Sequence, residues 1–478
     1  MMSTVSSRAC NRIHCICADS DPLDARVNSK EALRVLLGSG ASGYMPDTLQ
    51  EVLFEPGLVS WPEVGVSQPD LHRNLPGNLA AMVEGMDRSW LREGAAYERE
   101  VAEFGRPRLH RHPALQPGRR EYRSFVAAGV SRGVFRLGTR CAEKVRLFFT
   151  GKKDGGLRLI VNCRRANQHF ESPPATHHFS GPGFCEIMVD EGAELWFGAV
   201  DVCAAFYQHK IPGWLSELFS MDPLVAGVLG VTEVDGRPVH PRQKLYPQLA
   251  VVPQGWKWGL ALVQAAHEQL LDSSSFLDGS RRAVDFMPPP NPKLGPFHSI
   301  YVDNLLVEGC DKKSVNEHLE YGIKALEGAG LPLHEKVSAC QDLEMLGVRQ
   351  RGAPPRVELS GKRLTRMWRA LDHLIERRRT ATSRDIERIL GHWCFCALLR
   401  RPALSVGRSL YDFARSQYLQ PVALWKGALQ ELRMMRGLLV LLRADLCQPV
   451  HEIGTAYDAC ESGHASVDSE LCAKPQKE

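Results

Sequence analysis

The 478-residue chain has no long apolar run; its longest purely aliphatic stretch covers residues 438–442, far short of the ~20 residues a helix needs to cross a bilayer. That excludes a membrane-spanning helix. A secretory signal is also missing from the N-terminus, and the 14 cysteines are scattered instead of spaced as a disulfide framework. Reduced, mostly buried thiols in an intracellular protein are therefore expected. Cys10, Cys15 and Cys17 flank His14, but without paired spacing or a matching second half they do not make a zinc site. Strong charge of one sign is absent too: the formal charge is +4, with 24% charged and 44% hydrophobic residues, an ordinary globular balance. Positive charge is nonetheless concentrated. Residues 356–401 hold 12 lysines and arginines against 5 acids, which leaves the rest of the chain slightly acidic.

The length allows two to four domains. Residues 1–90 mix glycine, proline, serine and short apolar pieces with no sustained periodicity, and carry no functional reading. An Arg-, His- and Pro-rich stretch, residues 106–123, leads into an amphipathic segment over residues 121–133. From there the pattern turns to strands: residues 145–149 and 157–161 flank Gly151-Lys152-Lys153-Asp154-Gly155-Gly156, a hairpin with two lysines in its turn. Helices are predicted near residues 258–271 and 313–328, with a Pro-rich loop at 287–296 between them. Strands alternating with helices indicate an α/β or α+β core. Beyond residue 360, Leu364, Met367, Trp368, Leu371, Leu374 and Ile375 fall at helical spacing, and Thr382 or Ser383 can cap a second helix carrying Ile386, Leu390, Trp393 and Ala397. A third helix is expected over residues 421–445, completing a compact, basic, all-helical appendage.

Two apolar runs each contain one carboxylate. In Tyr301-Val302-Asp303-Asn304 the acid lies in the middle of residues 299–307, and Asp201 ends the run at 195–202. An ionised aspartate there is costly unless a cation or several donors receive it. Two such acids, 102 positions apart in the chain, can meet at adjacent strand ends and hold a pair of divalent cations of the kind that serve phosphoryl transfer.

Asp201-Val202-Cys203-Ala204-Ala205-Phe206-Tyr207-Gln208 and Tyr301-Val302-Asp303-Asn304 resemble the first and second catalytic motifs of reverse transcriptases. Between them, Val252-Pro253-Gln254-Gly255-Trp256 resembles that family's Pro-Gln-Gly loop. Upstream, residues 152–158 with Arg164 and Asn167 look like its fingers hairpin, and downstream His334-Glu335-Lys336 and Leu346-Gly347-Val348 are similar to its last palm elements. These motifs recur in the expected order over about residues 120–350. The helical region beyond residue 360 looks like a thumb and connection of the type found in tyrosine-recombinase retrotransposons. Thr455-Ala456-Tyr457-Asp458-Ala459-Cys460 resembles the first strand of a ribonuclease H domain; too little chain follows Asp458 to supply the remaining carboxylates, so a fragment of a polyprotein or a decayed copy, without ribonuclease H activity, is expected.

The resemblance implies an α+β right-hand polymerase fold: residues 1–105 an N-terminal region of unknown role expected to be partly disordered, 106–350 fingers and palm, 351–450 thumb and connection, 451–478 a truncated ribonuclease H start. It implies an RNA-directed DNA polymerase. Asp201, Asp303 and the Val202 carbonyl, supported by Asn304, would hold two Mg²⁺, with Mn²⁺ able to substitute. Lys153 and Arg158 would meet the triphosphate of a dNTP, Gln254 and Gly255 would lie beside the incoming nucleotide, and Lys336 would protonate pyrophosphate. Phe206, five positions after Asp201, matches the aromatic residue that excludes a 2′-hydroxyl, which argues against an RNA-directed RNA polymerase. The implied partners are dNTPs and an RNA or DNA template with its primer, and the basic residues 356–401 suit a duplex backbone. Basic clusters also serve nuclear import, so residence in nucleus or cytoplasm stays open, as does oligomeric state.

One position departs from the family. Where reverse transcriptases usually carry two aspartates, this chain has Asp303-Asn304. The amide keeps an oxygen for a hard cation but loses the charge, so weaker metal affinity is expected. A catalytically silent nucleic-acid-binding remnant is the alternative.

Overall fold

The computed structural model describes residues 23–38, 54–65, 68–110, 112–151, 155–179, 181, 183–274, 277, 279–447, 453–460 and 463–470, the last two segments as backbone only. Lys152, Lys153 and Asp154 lie outside the described residues, as do Cys10, His14, Cys15 and Cys17.

The organising element is a four-stranded antiparallel sheet. Its central strands are Trp196–Val202, which ends in the Asp201 segment, and Asn304–Gly309; Leu333–Cys340 flanks the first and Phe297–Tyr301 the second. Both faces are covered, which is why the central strands read as continuous apolar runs and not as alternation. On one face Val200, Val202, Ile300, Leu305 and Val307 pack with the helices Gly259–Asp272 and Lys312–Gly328. On the other, Phe197, Ala199, Phe297 and Leu306 meet a second core shared with the C-terminal region. Lys312–Gly328 starts where Asp311 accepts the Ser314 N–H, an N-cap. It buries Val315, Leu319, Gly322, Ile323 and Leu326, a helical stripe. Gly322 is needed for that approach, since a Cβ there would come within 2.5 Å of Leu305.

The predicted hairpin forms from Arg146–Gly151 and Leu157–Asn162, and the amphipathic segment becomes the helix Arg120–Ser131. The helices Gly361–His373 and Ser383–Ala397 appear as the periodicity predicts, and Thr382 caps the second reciprocally with Asp385. The third is shorter than expected. It runs Lys426–Leu438, after which Arg443–Asp445 turns into a strand and pairs with Pro355–Leu359. The appendage is thus not all-helical: Asp342–Met345, Val348–Gly352, Pro355–Leu359 and Arg443–Asp445 make a second four-stranded sheet beneath it. The nine cysteines whose side chains are described are free, but only Cys163 and Cys396 are fully buried, fewer than composition suggested.

The N-terminal region is part of this architecture. Leu71, Leu75, Val83 and Trp90 belong to the same core as the hairpin, and the helix Ser29–Gly38 packs on Gly361–His373, with the Leu36 and Leu37 carbonyls bonded to His392 and Arg388. Asp458 falls on the strand Ile453–Cys460, which pairs antiparallel with Gly463–Glu470. Among the described residues no helix is long and apolar enough to cross a membrane.

Candidate functional site

Asp201 occupies a central strand with a neighbour on each side: Asn304 opposite it on one flank and His334 on the other. The chain reverses between Tyr301 and Asn304 through just Val302 and Asp303, and the Val202 N–H donates to the Asp303 carbonyl at 2.8 Å. This bond brings the Asp303 turn alongside Asp201, so that the two acids predicted from separate runs share one end of the sheet.

The turn is strained. Val302 has φ +54°, a region unfavourable for a β-branched residue, and such outliers cost on the order of 1–3 kcal/mol unless the surroundings fix them. Here one helix, Gly259–Asp272, fixes it. Gln264 donates to the Ile300 carbonyl at 2.8 Å and accepts the Val302 N–H at 2.7 Å, and His267 Nδ1 bonds the Val302 carbonyl.

The electrostatics are those of two acids crowded out of water. Burial, then the nearby Asp303 charge, pushes Asp201 up to about 7, with His334 working in the other direction. Asp303 is raised as well, chiefly by burial, while Asn304, Arg158 and His334 oppose the shift. Burial and a like-charged neighbour both disfavour ionisation, and a cation would reverse both effects. Asp201 Oδ2 lies 3.4 Å from His334 Nδ1, and Asn304 Nδ2 donates to Asp303 Oδ1 at 2.7 Å. Asp201 Oδ1 is buried with no hydrogen-bond partner, and buried polar atoms rarely go unpaired without reason.

Among the described residues no group of three or more His, Cys, Asp and Glu side chains is arranged to hold a metal. The oxygens gathered here are fewer and harder: the Asp201 and Asp303 carboxylates and the Asn304 amide. That oxygen-only set fits Mg²⁺, which keeps several waters and takes further ligands from substrate phosphates.

The remaining predicted residues approach from other elements. Arg158 is exposed on Leu157–Asn162, opposite Thr150, close enough for its charge to act on Asp303. Its strand is tied to the Asp201 segment by the Tyr207 hydroxyl, which donates to the Leu159 carbonyl at 2.6 Å. Phe206 is half-buried in the turn Ala205–Gln208, its ring edge 3.6 Å from where a Cβ on Gly259 would lie. The Gln254 carbonyl accepts the Val161 N–H at 3.0 Å, and Gly255 has φ +128° with room for no side chain, since a Cβ would lie 2.1 Å from the Val161 carbonyl oxygen. Asn167 clamps this loop on both sides, donating to the Gly255 carbonyl and accepting the Lys257 N–H. Lys336 is exposed and ion-paired with Glu327 at 2.7 Å.

Three contributors escaped the sequence reading. His334 sat in a quoted motif read only for its lysine, because the register that sets it opposite Asp201 is a long-range property. Gln264 and His267 left a fainter trace, as two polar residues among Leu262, Val263 and Ala266 on a buried helix face.

No protein-family model and no curated protein matches the chain. Among solved structures it is similar to the foamy viral protease-reverse transcriptase dRH in complex with double-stranded DNA, with a TM-score of 0.51 and 14% identity over 94% of this chain and 69% of that one. The foamy viral protease-reverse transcriptase is also matched in complex with double-stranded DNA (TM-score 0.49, 13% identity, 95% and 80% covered) and with an RNA/DNA hybrid (0.48, 13%, 94% and 54%). The first likeness defines the fold class: an α+β right-hand polymerase fold of the reverse-transcriptase type, with fingers, an antiparallel palm packed on helices and a helical thumb and connection.

Proposed function

We propose that this chain is an RNA-directed DNA polymerase of a retroelement, related to the tyrosine-recombinase retrotransposon type, which extends a primer 3′-hydroxyl with dNTPs on an RNA or DNA template. The observation that carries this reading is the Val202–Asp303 backbone bond, which sets two half-buried carboxylates side by side, both raised by burial and Asp201 further by Asp303, with one oxygen of Asp201 having no partner.

Asp201, Asp303 and the Val202 carbonyl, with Asn304 in support, would hold two Mg²⁺ or Mn²⁺. Bound there, the ions would activate the attacking hydroxyl and offset charge on the reacting phosphate. Arg158 would set a cationic group against the triphosphate, joined by Lys153, which lies outside the described residues. Gln254 and the bare backbone at Gly255 bound the nucleotide pocket, and Phe206 closes it where a 2′-hydroxyl would sit. Lys336 is the proton donor to departing pyrophosphate, which requires it to leave Glu327.

A catalytically silent nucleic-acid-binding remnant is favoured by a different observation. Without metal, Asn304 already satisfies Asp303 Oδ1 and His334 already faces Asp201. Primer extension on an RNA template, comparing dNTPs with NTPs and Mg²⁺ with Mn²⁺, separates the two. Extension with dNTPs that is abolished in Asp201→Ala supports the polymerase; extension by Asn304→Asp alone supports the remnant.

A further inference from the structure

Two histidines meet behind the Asp303 turn. His209 follows the Asp201 motif and His267 comes from the helix Gly259–Asp272; both are 0% exposed, with Nε2 atoms 3.0 Å apart. His267 also bonds the Val302 carbonyl through Nδ1. A carbonyl only accepts, so His267 Nδ1 carries a proton. Burial pushes His267 down to about 4 and His209 down as well, and among the described residues neither forms an ion pair, so both rings are neutral. A neutral ring has one N–H. His267 Nε2 is therefore an acceptor, His209 must donate from Nε2, and His209 Nδ1 is left as the lone-pair nitrogen, buried with no partner. One backbone oxygen thus sets the tautomer of both rings.

The oxygen belongs to the residue at φ +54° that immediately precedes Asp303. Gln264 holds the N–H side of that residue, and His267 holds its carbonyl. We propose that His267, oriented by His209, is a positioning residue for the site: it fixes the Val302 peptide so that Asp303 is presented to Asp201, and the hold of the two carboxylates on a divalent cation depends on it. The pair also links the segment following one carboxylate to the turn bearing the other, so the relative placement of the two acids is set from behind the sheet. This rests on the reading of the acids as a cation site.

The test uses the full chain, with Mn²⁺ as probe, its binding followed by electron paramagnetic resonance, and amide exchange over residues 297–309 followed by mass spectrometry. His267→Asn keeps an N–H where Nδ1 donates; His267→Leu does not. Partners that bond a metal ligand directly, when removed, weaken metal binding by about 10–100-fold; His267 acts one residue further out, so His267→Leu is expected to lose about tenfold in Mn²⁺ affinity, the low end of that range, and to exchange faster over 297–309. His267→Asn is expected to stay close to wild type in both. Histidine ¹⁵N spectra of the unaltered chain, which need no variant to fold, are expected to show Nδ1–H on His267 and Nε2–H on His209. An Nε2–H tautomer at His267, equal Mn²⁺ affinity in His267→Leu and wild type, or an asparagine variant as weak as the leucine one overturns the inference. If wild type binds no Mn²⁺ that Asp303→Ala abolishes, the cation-site reading fails and the inference falls with it, whatever the tautomers.

Discussion

Asn304 donates its side-chain N–H to Oδ1 of Asp303 across 2.7 Å. The residue that departs from the family pattern therefore does more than lack a charge: it takes up a lone pair of an oxygen that a cation would use. A cation at that oxygen must share it with the amide N–H, which leaves it a weaker donor, or must coordinate the other oxygen.

Replacing Asn304 by Asp removes the donor and adds a charge. Primer extension in millimolar Mg²⁺ is expected to rise on the order of tenfold, with a smaller advantage of Mn²⁺ over Mg²⁺. Without metal the same variant should melt at a lower temperature, because a third acid joins two already raised, chiefly by burial. Extension rates and melting curves, with and without Mg²⁺, check both; a variant that melts higher without metal would contradict the account.

Glu308 gives a stability prediction away from the site. It is fully buried between the two sheets, neither carboxyl oxygen has a hydrogen-bond partner, and burial pushes it up to about 8 from the ordinary 4.5 of a glutamate, the neighbouring Gln350 amide opposing the shift only in part. Between those values the folded protein holds a proton that the unfolded chain has released, so stability is fully present below the lower one and is lost as pH rises through the window. Glu308→Gln should flatten this fall and stabilise the protein at pH 8 to 9 by a few kcal/mol. Asp201 and Asp303 leave a residual slope of the same sign. Denaturant melts from pH 5 to 9 measure it.

Phe206→Ala opens the space beside Gly259. The ratio of kcat/KM for dNTP over the matching NTP is expected to fall by roughly an order of magnitude or more, the loss arising from faster ribonucleotide use. An unchanged ratio would return Phe206 to a packing role.

Gly255→Ala forces a Cβ against the Val161 carbonyl at a backbone angle that L-residues avoid. A loss of about 1–3 kcal/mol in urea melts is expected, together with a higher KM for dNTP as the loop leaves the Asn167 clamp. An alanine variant as stable as wild type would show that the loop relaxes freely.

The legible parts of this fold were those governed by local pattern. The helix at Gly361–His373, the Thr382 cap and the hairpin around Gly155 follow from periodicity and turn chemistry, and two acids in apolar runs marked the site. What stayed hidden depends on register or distant contact. His334 faces Asp201 only because Leu333–Cys340 pairs with Trp196–Val202, and His209 meets His267 across 58 positions of chain. Arg443–Asp445 read as helix because Leu438, Leu439, Leu441 and Leu442 extend the preceding pattern, whereas the strand exists only through its partner Pro355–Leu359. Residues 1–90 showed no sustained periodicity, and Leu71, Leu75 and Trp90 enter a core built mostly by later segments.

The helix Ser29–Gly38 has a practical consequence for producing the protein. An expression boundary drawn just ahead of the motifs, near residue 105, would strip Ala32, Leu33 and Leu36 from the second core and leave the Gly361–His373 surface bare. A polymerase domain trimmed by motif would then clump or bind nonspecifically through its C-terminal half, and an inactive preparation of that kind would say nothing about Asn304.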